Sequence, residues 1–537
     1  GEDVYLNCQM AKAMVEGYQG DAAAGHSGDS VQFDPEHVAA CVKHFAAYGA
    51  PEGGREYNSV DMSERQLREQ YLPGYKAAVD AGCAMVMTSF NTVNGVPATG
   101  NAWLMKDILR DEWGFDGVVI SDYSAIRELM AHGVAEDEEA AAALAIQATV
   151  DIDMVTDIYA TKLEKMAEAG VIPDEWITEG ARRVLKLKNK LGLLDDPFRG
   201  VNVDAEEAVM HTEEHQKVSL QLAEESMVLL KNDGILPVSL EGKTVALIGP
   251  YTDSRDLCGS WSMYYREEEV KTLKEVLEEK GISVRQAKGC TTIENGSSFI
   301  SFDRREIAAK EDEEELLKGA VEAARGSDVV ILTLGEDRQQ SGEGGARADI
   351  SLGKNQVRLF QAVKEVNPNV AVVLFNGRPM DITGIMDAPA ILDAWFPGTE
   401  GAQAVVRLLT GEANPSGKLS MSVPYCTGQE PIYYNHLMTG RPKVEGELNR
   451  FSSGYLDTPS VPRFPFGYGL SYTEFTYGEI QSDGKEVRKG KPVCVSVEVE
   501  NTGAMPGTET VQCYIRDMVG SVSRPVKELK GFKRIFL

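Results

Sequence analysis

One carboxylate follows a short apolar run, at a place where an enzyme could use it as a nucleophile. Gly117 opens the run, Val118, Val119 and Ile120 continue it, and Asp122 comes just after. Three β-branched residues in a row predict a fully buried strand rather than a helix. In a parallel α/β barrel, catalytic groups project from the C-terminal ends of the strands. Asp122 is therefore either a catalytic group or a strand-end cap, since aspartate is also common in turns.

A lysine and a histidine follow another buried run. Lys43 and His44 stand at the end of a predicted strand over residues 38–45, so both side chains are expected to reach a barrel mouth. Two adjacent polar groups at that place can donate hydrogen bonds to the hydroxyls of a sugar ring. The alternative is a lysine that faces a helix beside a histidine that is satisfied within the protein.

A second carboxylate lies in a glycine-rich loop, residues 341–345, after a predicted strand that ends near Leu334. Glycines on both sides of Glu343 allow the loop to move and to approach a ligand closely. The alternative is a solvated surface loop. The spacing is not that of a phosphate-binding loop, because no lysine followed by serine or threonine comes after it. Glu336 and Asp337 follow the same predicted strand and are alternative candidates for the role of Glu343.

Two further pairs of residues have the chemistry of a binding-site wall. Met87 and Phe90 close a second predicted strand, where a methionine and an aromatic residue are more often part of a core. Trp261, next to Ser260 in a Gly-Ser-Trp-Ser segment, has a ring that can stack on a sugar face. A tryptophan in the core is an equally good interpretation.

Composition excludes several classes of partner. The 537 residues include 54 basic and 83 acidic side chains, for a formal net charge of −29. Nucleic acids and anionic membranes need clustered basic residues, so neither is expected as a partner. There is no apolar run of the ~18 residues that a membrane span requires. A neutral substrate suits this charge.

The eight cysteines are scattered, with no Cys-x-x-Cys pair and no histidine or cysteine at metal-ligand spacing. Four of them, Cys41, Cys83, Cys494 and Cys513, lie in apolar or alternating runs. We therefore interpret them as free, buried thiols in a reducing compartment. No metal or other cofactor is implied.

Residues 1–195 alternate short buried strands with amphipathic helices, which is typical of parallel βα units. About four units are present, whereas a closed barrel needs eight. The region is thus part of a barrel or an open sheet. Strands are predicted at 38–45, 83–90, 117–122 and 152–155, and helices at 63–81, 103–113, 137–149 and 176–191, with Ser63 as an N-cap, a kink at Pro73 and Gly192 as a stop.

Residues 196–215 form a predicted linker, and residues 216–425 a second α/β domain with an open, doubly wound sheet. The domain is predicted to begin with a helix over 216–231. Its predicted strands are 244–250, 328–334, 370–375 and 390–396, and its other helices 274–280, 313–325, 355–366 and 401–409.

The pattern then changes to strand alternation. A connecting loop over 426–470 is rich in proline, glycine and tyrosine, and residues 493–501 and 508–515 alternate apolar with polar side chains around a turn. This predicts a fibronectin III-like β-sandwich over 471–537. The module is expected to be incomplete, since such a domain usually needs ~100 residues.

Several segments together resemble glycoside hydrolase family 3, and within it the bacterial periplasmic-type β-glucosidases. They occur in the order of the family over nearly the whole chain. The segments are residues 43–58, 119–123, 341–343 with Arg347 and Asp349, 376–379, 414–418 and 464–472. The resemblance implies a TIM-like (β/α)8 barrel, here partial, then an α/β sandwich domain and a fibronectin III-like domain.

The resemblance also implies a retaining mechanism in which Asp122 is the nucleophile and Glu343 the acid/base, with their carboxyl groups about 5–5.5 Å apart at an interface between the first two domains. Lys43 and His44 match the pair that binds hydroxyls of the terminal sugar, and Met87 and Phe90 match wall positions. Phe90 replaces a frequent tyrosine, and Tyr123 stands where many members have tryptophan or histidine. Ser260 and Trp261 match a loop that can border the site.

The resulting expectation is an exo-acting β-glucosidase that removes terminal β-D-glucosyl residues. The alternatives are a β-xylosidase or other family 3 glycosidase, and a non-catalytic carbohydrate-binding protein; the pair of carboxylates argues against the last. Both ends of the chain look cut, and the family's barrel begins before Gly1. We therefore expect an N-terminal segment that complements the barrel, or a homodimer. The compartment stays open, whether cytoplasmic, periplasmic or secreted.

Overall fold

The computed structural model describes residues 1–20, 33–262, 265–294, 298–301, 304–307, 310–444, 446–447, 449–484 and 490–537. Contacts divide the chain into two compact units. The first comprises Gly1 and residues 3–208, and the second comprises Glu2 and residues 209–537. No helix in the described ranges combines the length and apolarity needed to cross a membrane.

The described part of the first unit contains a sheet of three parallel strands, β1 (Cys41–Phe45), β2 (Met85–Thr88) and β3 (Val118–Ile120), with β2 in the middle. Val86 of β2 pairs with Val42 on one side and Val119 on the other. Val86 and Val119 are fully buried, as the run of β-branched residues predicts.

The predicted fourth strand at residues 152–155 is wrong, because the chain makes a single parallel bridge between Ile120 and Ile152. Val155 has a φ of 74°, in the left-handed region, so the backbone leaves the extended conformation there. The carboxylate of Asp151 accepts the N–H of Val119 at 2.8 Å, a donor that a longer ladder would use.

The predicted helices of the first unit are confirmed. Ser63 caps its helix by accepting the N–H of Gln66 at 3.2 Å, and a π-helical segment, Leu67–Tyr71, ends two residues before Pro73. The helices that begin in this unit are Val4–Gln19, Glu64–Gln66, Leu72–Asp80, Ala125–Ala131, Glu138–Gln147, Ile158–Glu168, Asp174–Lys190 and Val203–Val209, and Trp103–Glu112 is a second π-helical segment. Leu67, Ile108, Ile126 and Ile158, from four of these segments, pack on the sheet in one core.

The described part of the second unit contains a six-stranded sheet. Its strands are β4 (Val228–Asn232), β5 (Thr244–Ile248), β6 (Ser283–Ala287), β7 (Val329–Gly335), β8 (Val370–Phe375) and β9 (Ala390–Asp393). The order is β4-β9-β8-β7-β5-β6, and every pairing is parallel except that of β4 with β9. The four strands predicted here, now β5, β7, β8 and β9, are confirmed.

The predicted helix over residues 216–231 is wrong in its second half. The helix runs over Glu213–Ser226 and the chain then enters β4, which pairs antiparallel with β9. Met227 and the first three residues of β4 are almost completely buried, so the apolar run fills the edge of the sheet. A run of apolar residues alone does not distinguish a buried helix from a buried strand.

Helices cover both faces of this sheet. Alternate residues of β7 enter different cores: Val329 and Ile331 pack on one side, whereas Val330, Leu332 and Leu334 pack on the other. The remaining helices of the unit confirm their predicted positions and are Leu273–Glu279, Glu313–Arg325, Lys354–Val366 and Gly401–Thr410.

Antiparallel strands dominate the C-terminal part. The alternating run at 493–501 divides into two short strands, and the predicted strand at 508–515 is confirmed. The pairs are Phe475–Tyr477 with Val499–Asn501, Gln481–Ser482 with Val495–Ser496, and Thr508–Ile515 with Glu528–Phe536. Short ladders elsewhere join Thr92–Val93 to Val96–Pro97 and Ser298–Ser301 to Arg304–Ile307.

The cysteine prediction is confirmed in one respect and wrong in another. All eight cysteines lie within the described residues and are free thiols. Cys83 is buried and Cys41 is half-buried, but Cys494 and Cys513 are exposed. Both exposed thiols belong to the C-terminal strands, where an alternating pattern identifies the two faces of a strand without showing which one is covered.

Candidate active site

Polar side chains gather where the parallel strands of the first unit end. Lys43 and His44 lie in β1 close to its C-terminal end, and the strand ends at Phe45, as predicted, after an irregularity in its register. Asp122 comes two residues after β3. Since β1, β2 and β3 are parallel, these ends lie at the same edge of the sheet.

His44 and Asp122 are neighbours at this edge. His44 Nε2 lies 3.4 Å from Asp122 Oδ2, and Asp122 exposes 10% of its side chain. The backbone N–H of Tyr123 donates to Asp122 Oδ1 at 2.7 Å. Oδ2 is buried and makes no hydrogen bond to any described residue, because the contact with His44 satisfies the distance of an ion pair but not the geometry of a hydrogen bond.

Asp122 is not a helix cap. The helix Ala125–Ala131 follows it, but the N-cap residue of that helix is Ser124, and no side chain donates or accepts a capping bond there. The backbone holds Asp122 instead: its N–H donates to Thr88 Oγ1 at 3.3 Å, and its carbonyl accepts the N–H of Ala125 at 3.1 Å. The carboxylate thus accepts one local backbone bond through Oδ1, while Oδ2 is buried without a hydrogen bond to a described residue, which favours a chemical role.

Aromatic residues that sequence reasoning missed hold His44 in place. Tyr75 donates its hydroxyl to the carbonyl of His44 at 2.5 Å, and burial raises the pKa of Tyr75. The ring of Tyr48 meets the imidazole edge-on, with ring centroids 5.2 Å apart. Tyr75 lies on the predicted helix over residues 63–81, so only the packing of that helix on β1 brings it to His44.

The predicted wall residues surround the same edge. Met87 is half-buried in β2 and pairs in register with Ile120 of β3. Phe90 is half-buried and packs edge-on against Tyr57 at 5.3 Å. Tyr123 is 59% exposed. Lys43 is exposed, and its ammonium group has no hydrogen bond or ion pair to a described residue.

In the second unit, Glu343 lies in an exposed turn after β7. Gly342 and Gly344 have φ values of 82° and 73°, and the N–H of Gly345 donates to the carbonyl of Gly342 at 3.0 Å. A Cβ atom at Gly342 would come within 2.0 Å of Ser260 Oγ, so Ser260 lies directly against this turn. Trp261, the next residue, is 67% exposed.

The two rival carboxylates of this strand exit have structural roles. Glu336 is fully buried, and its carboxylate pairs with Arg347 at 2.7 Å and Arg378 at 3.0 Å. Asp337 caps a helical turn, Arg338–Gln340, by accepting the N–H of Gln339 at 3.0 Å. Glu343 is the only one of the three in the exposed class, which suits a proton donor to a substrate.

Another buried acid lies at the end of β9. Asp393 is almost completely buried, and burial raises its pKa to about 7, against the smaller opposing effect of the Trp395 N–H, which donates to Oδ1 at 3.3 Å. Sequence reasoning missed this residue, because it interrupts an otherwise apolar strand without a recognisable motif.

Family comparisons agree with this organisation. The glycosyl hydrolase family 3 N-terminal domain matches residues 1–187, the family 3 C-terminal domain residues 227–472, and a fibronectin type III-like domain residues 509–537. A periplasmic beta-glucosidase of Salmonella typhimurium is 40% identical over 550 residues, covering 100% of this chain and 70% of the relative. The chain belongs to glycoside hydrolase family 3.

Two further similar proteins, a curated relative and a solved structure, are named for different activities. A beta-xylosidase of Formosa agariphila is 39% identical over 560 residues, covering 100% of this chain and 72% of the relative. A beta-glucosidase from Listeria innocua, solved in complex with isofagomine, has a TM-score of 0.92 and 42% identity, covering 100% of this chain and 72% of that one. The expected fold class is confirmed: a partial TIM-like barrel domain, an α/β sandwich domain and a fibronectin III-like domain. The chain is therefore a glycoside hydrolase, and its substrate is a glycoside.

Proposed function

We propose that this family 3 chain is a retaining, exo-acting β-glucosidase that hydrolyses terminal, non-reducing β-D-glucosyl residues. The observation that carries the proposal is the setting of Asp122. A buried carboxylate oxygen without a hydrogen bond is rare in folded proteins and needs a reason beyond stability. The identity to a periplasmic beta-glucosidase and the likeness to a solved beta-glucosidase support glucose as the sugar.

The proposed reaction has two steps. An oxygen of Asp122 bonds to the anomeric carbon while the glycosidic bond breaks, and Glu343 gives its proton to the departing oxygen. Water then attacks the anomeric carbon and gives a proton to Glu343, and the ester bond to Asp122 breaks. Each displacement inverts the anomeric carbon, so the two steps together retain its configuration, and both carboxyl groups return to their starting states.

Other predicted residues have roles in substrate binding under this proposal. Lys43 and His44 carry donors suited to sugar hydroxyls, and the exposed ammonium of Lys43 is open to a ligand. Met87 and Phe90 offer apolar surface to the terminal sugar. Exposed Tyr123, together with Ser260 and Trp261, is proposed to contact the aglycone, since an exposed aromatic ring suits stacking on a sugar face.

Azide distinguishes the two carboxylates by the product that it forms. In Asp122→Gly, azide attacks the substrate directly and gives an α-glucosyl azide from a β-glucoside. In Glu343→Ala, azide attacks the glycosyl-enzyme without needing a base and gives a β-glucosyl azide. Both variants should lose hydrolysis of a phenyl glucoside by orders of magnitude, and proton NMR identifies the anomeric configuration.

The matched control is Glu479→Ala, which removes an exposed carboxylate far along the chain from either group. It should hydrolyse at the parent rate and form no azide. The same azide anomer from both variants, or an Asp122→Asn enzyme as active as the parent, would disprove the assignment.

A second candidate, β-xylosidase, is favoured by the identity to the beta-xylosidase of Formosa agariphila. Glucose and xylose differ in one hydroxymethyl group, a difference that a pocket converts into about 10–200-fold discrimination. The ratio of kcat/KM for nitrophenyl β-glucoside to that for nitrophenyl β-xyloside decides between the two. A ratio below one would replace glucose with xylose in the proposal.

A further inference from the structure

A buried ion pair lies beneath the turn that carries Glu343. The Glu336 carboxylate is fully buried and accepts Nη1 of Arg347 at 2.7 Å. Arg378 Nε lies 3.0 Å from one Glu336 oxygen and 3.2 Å from the other. The N–H of Gly377 completes the set at 3.4 Å. All of these donors come from segments that follow β7 or β8, so Glu336 joins two strand exits.

Arg378 also reaches both ends of the Glu343 turn. Its Nη2 donates to the carbonyl of Gly345 at 2.7 Å and to the carbonyl of Gln340. These two carbonyls flank residues 341–344. We call Arg378, the Glu336 carboxylate and these two carbonyls the Arg378 clasp.

The base of the clasp is rigid. Gln356 exchanges two hydrogen bonds of 2.8 Å with the backbone of Gly335, and Tyr251 donates to the carbonyl of Glu336. The turn itself contains three glycines, which leave its backbone many accessible conformations. A fixed guanidinium that holds both ends of a flexible turn limits where the residue between them can go.

We propose that Arg378 is a positioning residue for Glu343, holding the turn so that its carboxyl group stands where the leaving oxygen is protonated. The inference rests on the proposed function of Glu343. A general acid works only within hydrogen-bond reach of its target. A guanidinium presents several donors in a fixed plane, so it serves a carboxylate and two carbonyls at once, whereas an ammonium acts as a point charge.

Dependence on the leaving group tests the proposal. Arg378→Lys keeps the charge beside Glu336 but cannot hold both carbonyls. We expect kcat/KM for a phenyl glucoside, whose leaving group needs protonation, to fall by roughly tenfold to a hundredfold. For a dinitrophenyl glucoside, whose leaving group departs without a proton, the fall should stay within about threefold. The ratio of the two rates, measured on one preparation, is independent of the fraction of folded enzyme. If Arg378→Lys does not fold, Arg378→Gln is used in its place.

Arg347→Lys is the matched control. Arg347 pairs with the same Glu336 carboxylate, but its other guanidinium contact is the carbonyl of Ser351 at 3.2 Å, outside the turn. Its ratio of phenyl to dinitrophenyl rates should equal that of the parent. An equal change of the ratio in both variants would assign the effect to the ion pair and overturn the clasp.

Glu343→Gln distinguishes the acid/base role of Glu343 from the positioning role of Arg378. Under the proposed function, this variant loses much more kcat/KM for the phenyl glucoside than for the dinitrophenyl glucoside. If Glu343→Gln is selective and Arg378→Lys is not, the clasp is wrong and the role of Glu343 stands. If Glu343→Gln shows no selectivity, the acid/base assignment fails, and the clasp fails with it.

Discussion

At the scale of single residues, the chemistry of Asp122 depends on its neighbours. Its place after a buried strand allowed either a cap or a nucleophile. The structure shows that Asp122 does not cap the helix Ala125–Ala131, whose N-cap is Ser124, and it brings His44 to within 3.4 Å of Oδ2. His44 comes from a different strand, 78 positions earlier in the printed numbering. The local sequence, an aspartate after a buried strand, is the same whether the carboxylate lies beside an imidazole or in a turn. The local sequence therefore does not reveal the contact with His44.

We predict that His44→Ala lowers kcat/KM for nitrophenyl glucoside by about tenfold to a hundredfold. The physical reason is the loss of a donor to the sugar hydroxyls, since leaving a buried polar group without its hydrogen bond costs roughly 1–3 kcal/mol. The matched control is His132→Ala, because His132 is exposed at the end of the helix Ala125–Ala131 and should change the rate less than about twofold. A His44→Ala enzyme within twofold of the parent contradicts the role.

At the scale of elements, the ends of parallel strands supply the polar residues of both units. In the second unit, β7 leads to Glu336 and the turn with Glu343, β8 leads to Arg378, and β9 ends in Asp393. Ligand sites of open α/β sheets lie outside these same ends. Asp393 differs from the others, since its carboxyl group is buried among them without a cationic partner among the described residues.

Asp393 makes stability depend on pH. Its folded-state pKa of about 7 lies above that of an exposed aspartate, so folding favours the protonated form. Protonation of Asp393 contributes roughly 4 kcal/mol to the free energy of unfolding. This contribution is fully present below about pH 4 and is lost as pH rises to about 7. We therefore predict that Asp393→Asn is more stable than the parent at pH 8, and that this gain falls towards pH 4.

Urea unfolding at pH 5 and pH 8 measures the effect as a change in the free energy of unfolding. Asp457→Asn, at an exposed aspartate of the second unit, is the control and should give the same difference at both pH values. A gain for Asp393→Asn that is equal at both pH values would show that the carboxyl group of Asp393 ionises normally.

At the scale of the whole molecule, two features go beyond any one site. The net charge of −29 keeps the surface acidic, which suits a neutral glycoside better than a polyanion. Among the described residues, the sheet of the first unit has three strands, whereas a closed barrel of this type has eight. Sheets with open edges tend to pair with further strands.

We therefore expect the edge strands of this sheet to pair with further strands, either of the same protein or of another copy of the chain. Native mass spectrometry, combined with activity on nitrophenyl glucoside, checks this expectation. Active material should be heavier than the 58.6 kDa of the chain. Full activity in an isolated species of 58.6 kDa would contradict it.

Most of the regular structure could be predicted from sequence, because periodicity and caps are local signals. Ser63 caps its helix as expected, and the buried runs at β5, β7 and β8 are strands. The errors occur where a local signal is ambiguous. Residues 228–232 are apolar enough for a helix or a strand, and the antiparallel partner β9 makes them a strand. Residues 152–155 look like a strand, but Val155 turns the backbone away.

The candidate site divides in the same way. Residue types and glycine spacing made Asp122, Glu343, Lys43 and His44 candidates, and the resemblance to glycoside hydrolase family 3 implied their roles in a retaining mechanism. Tertiary packing was needed to tell the three acids after β7 apart, since burial against two arginines removes Glu336, and a cap removes Asp337. It was also needed to bring Arg378 under the turn of Glu343. The sequence shows which chemical groups are available. The energies of charges and hydrogen bonds depend on burial and on distances between remote segments, and these exist only once the chain has folded.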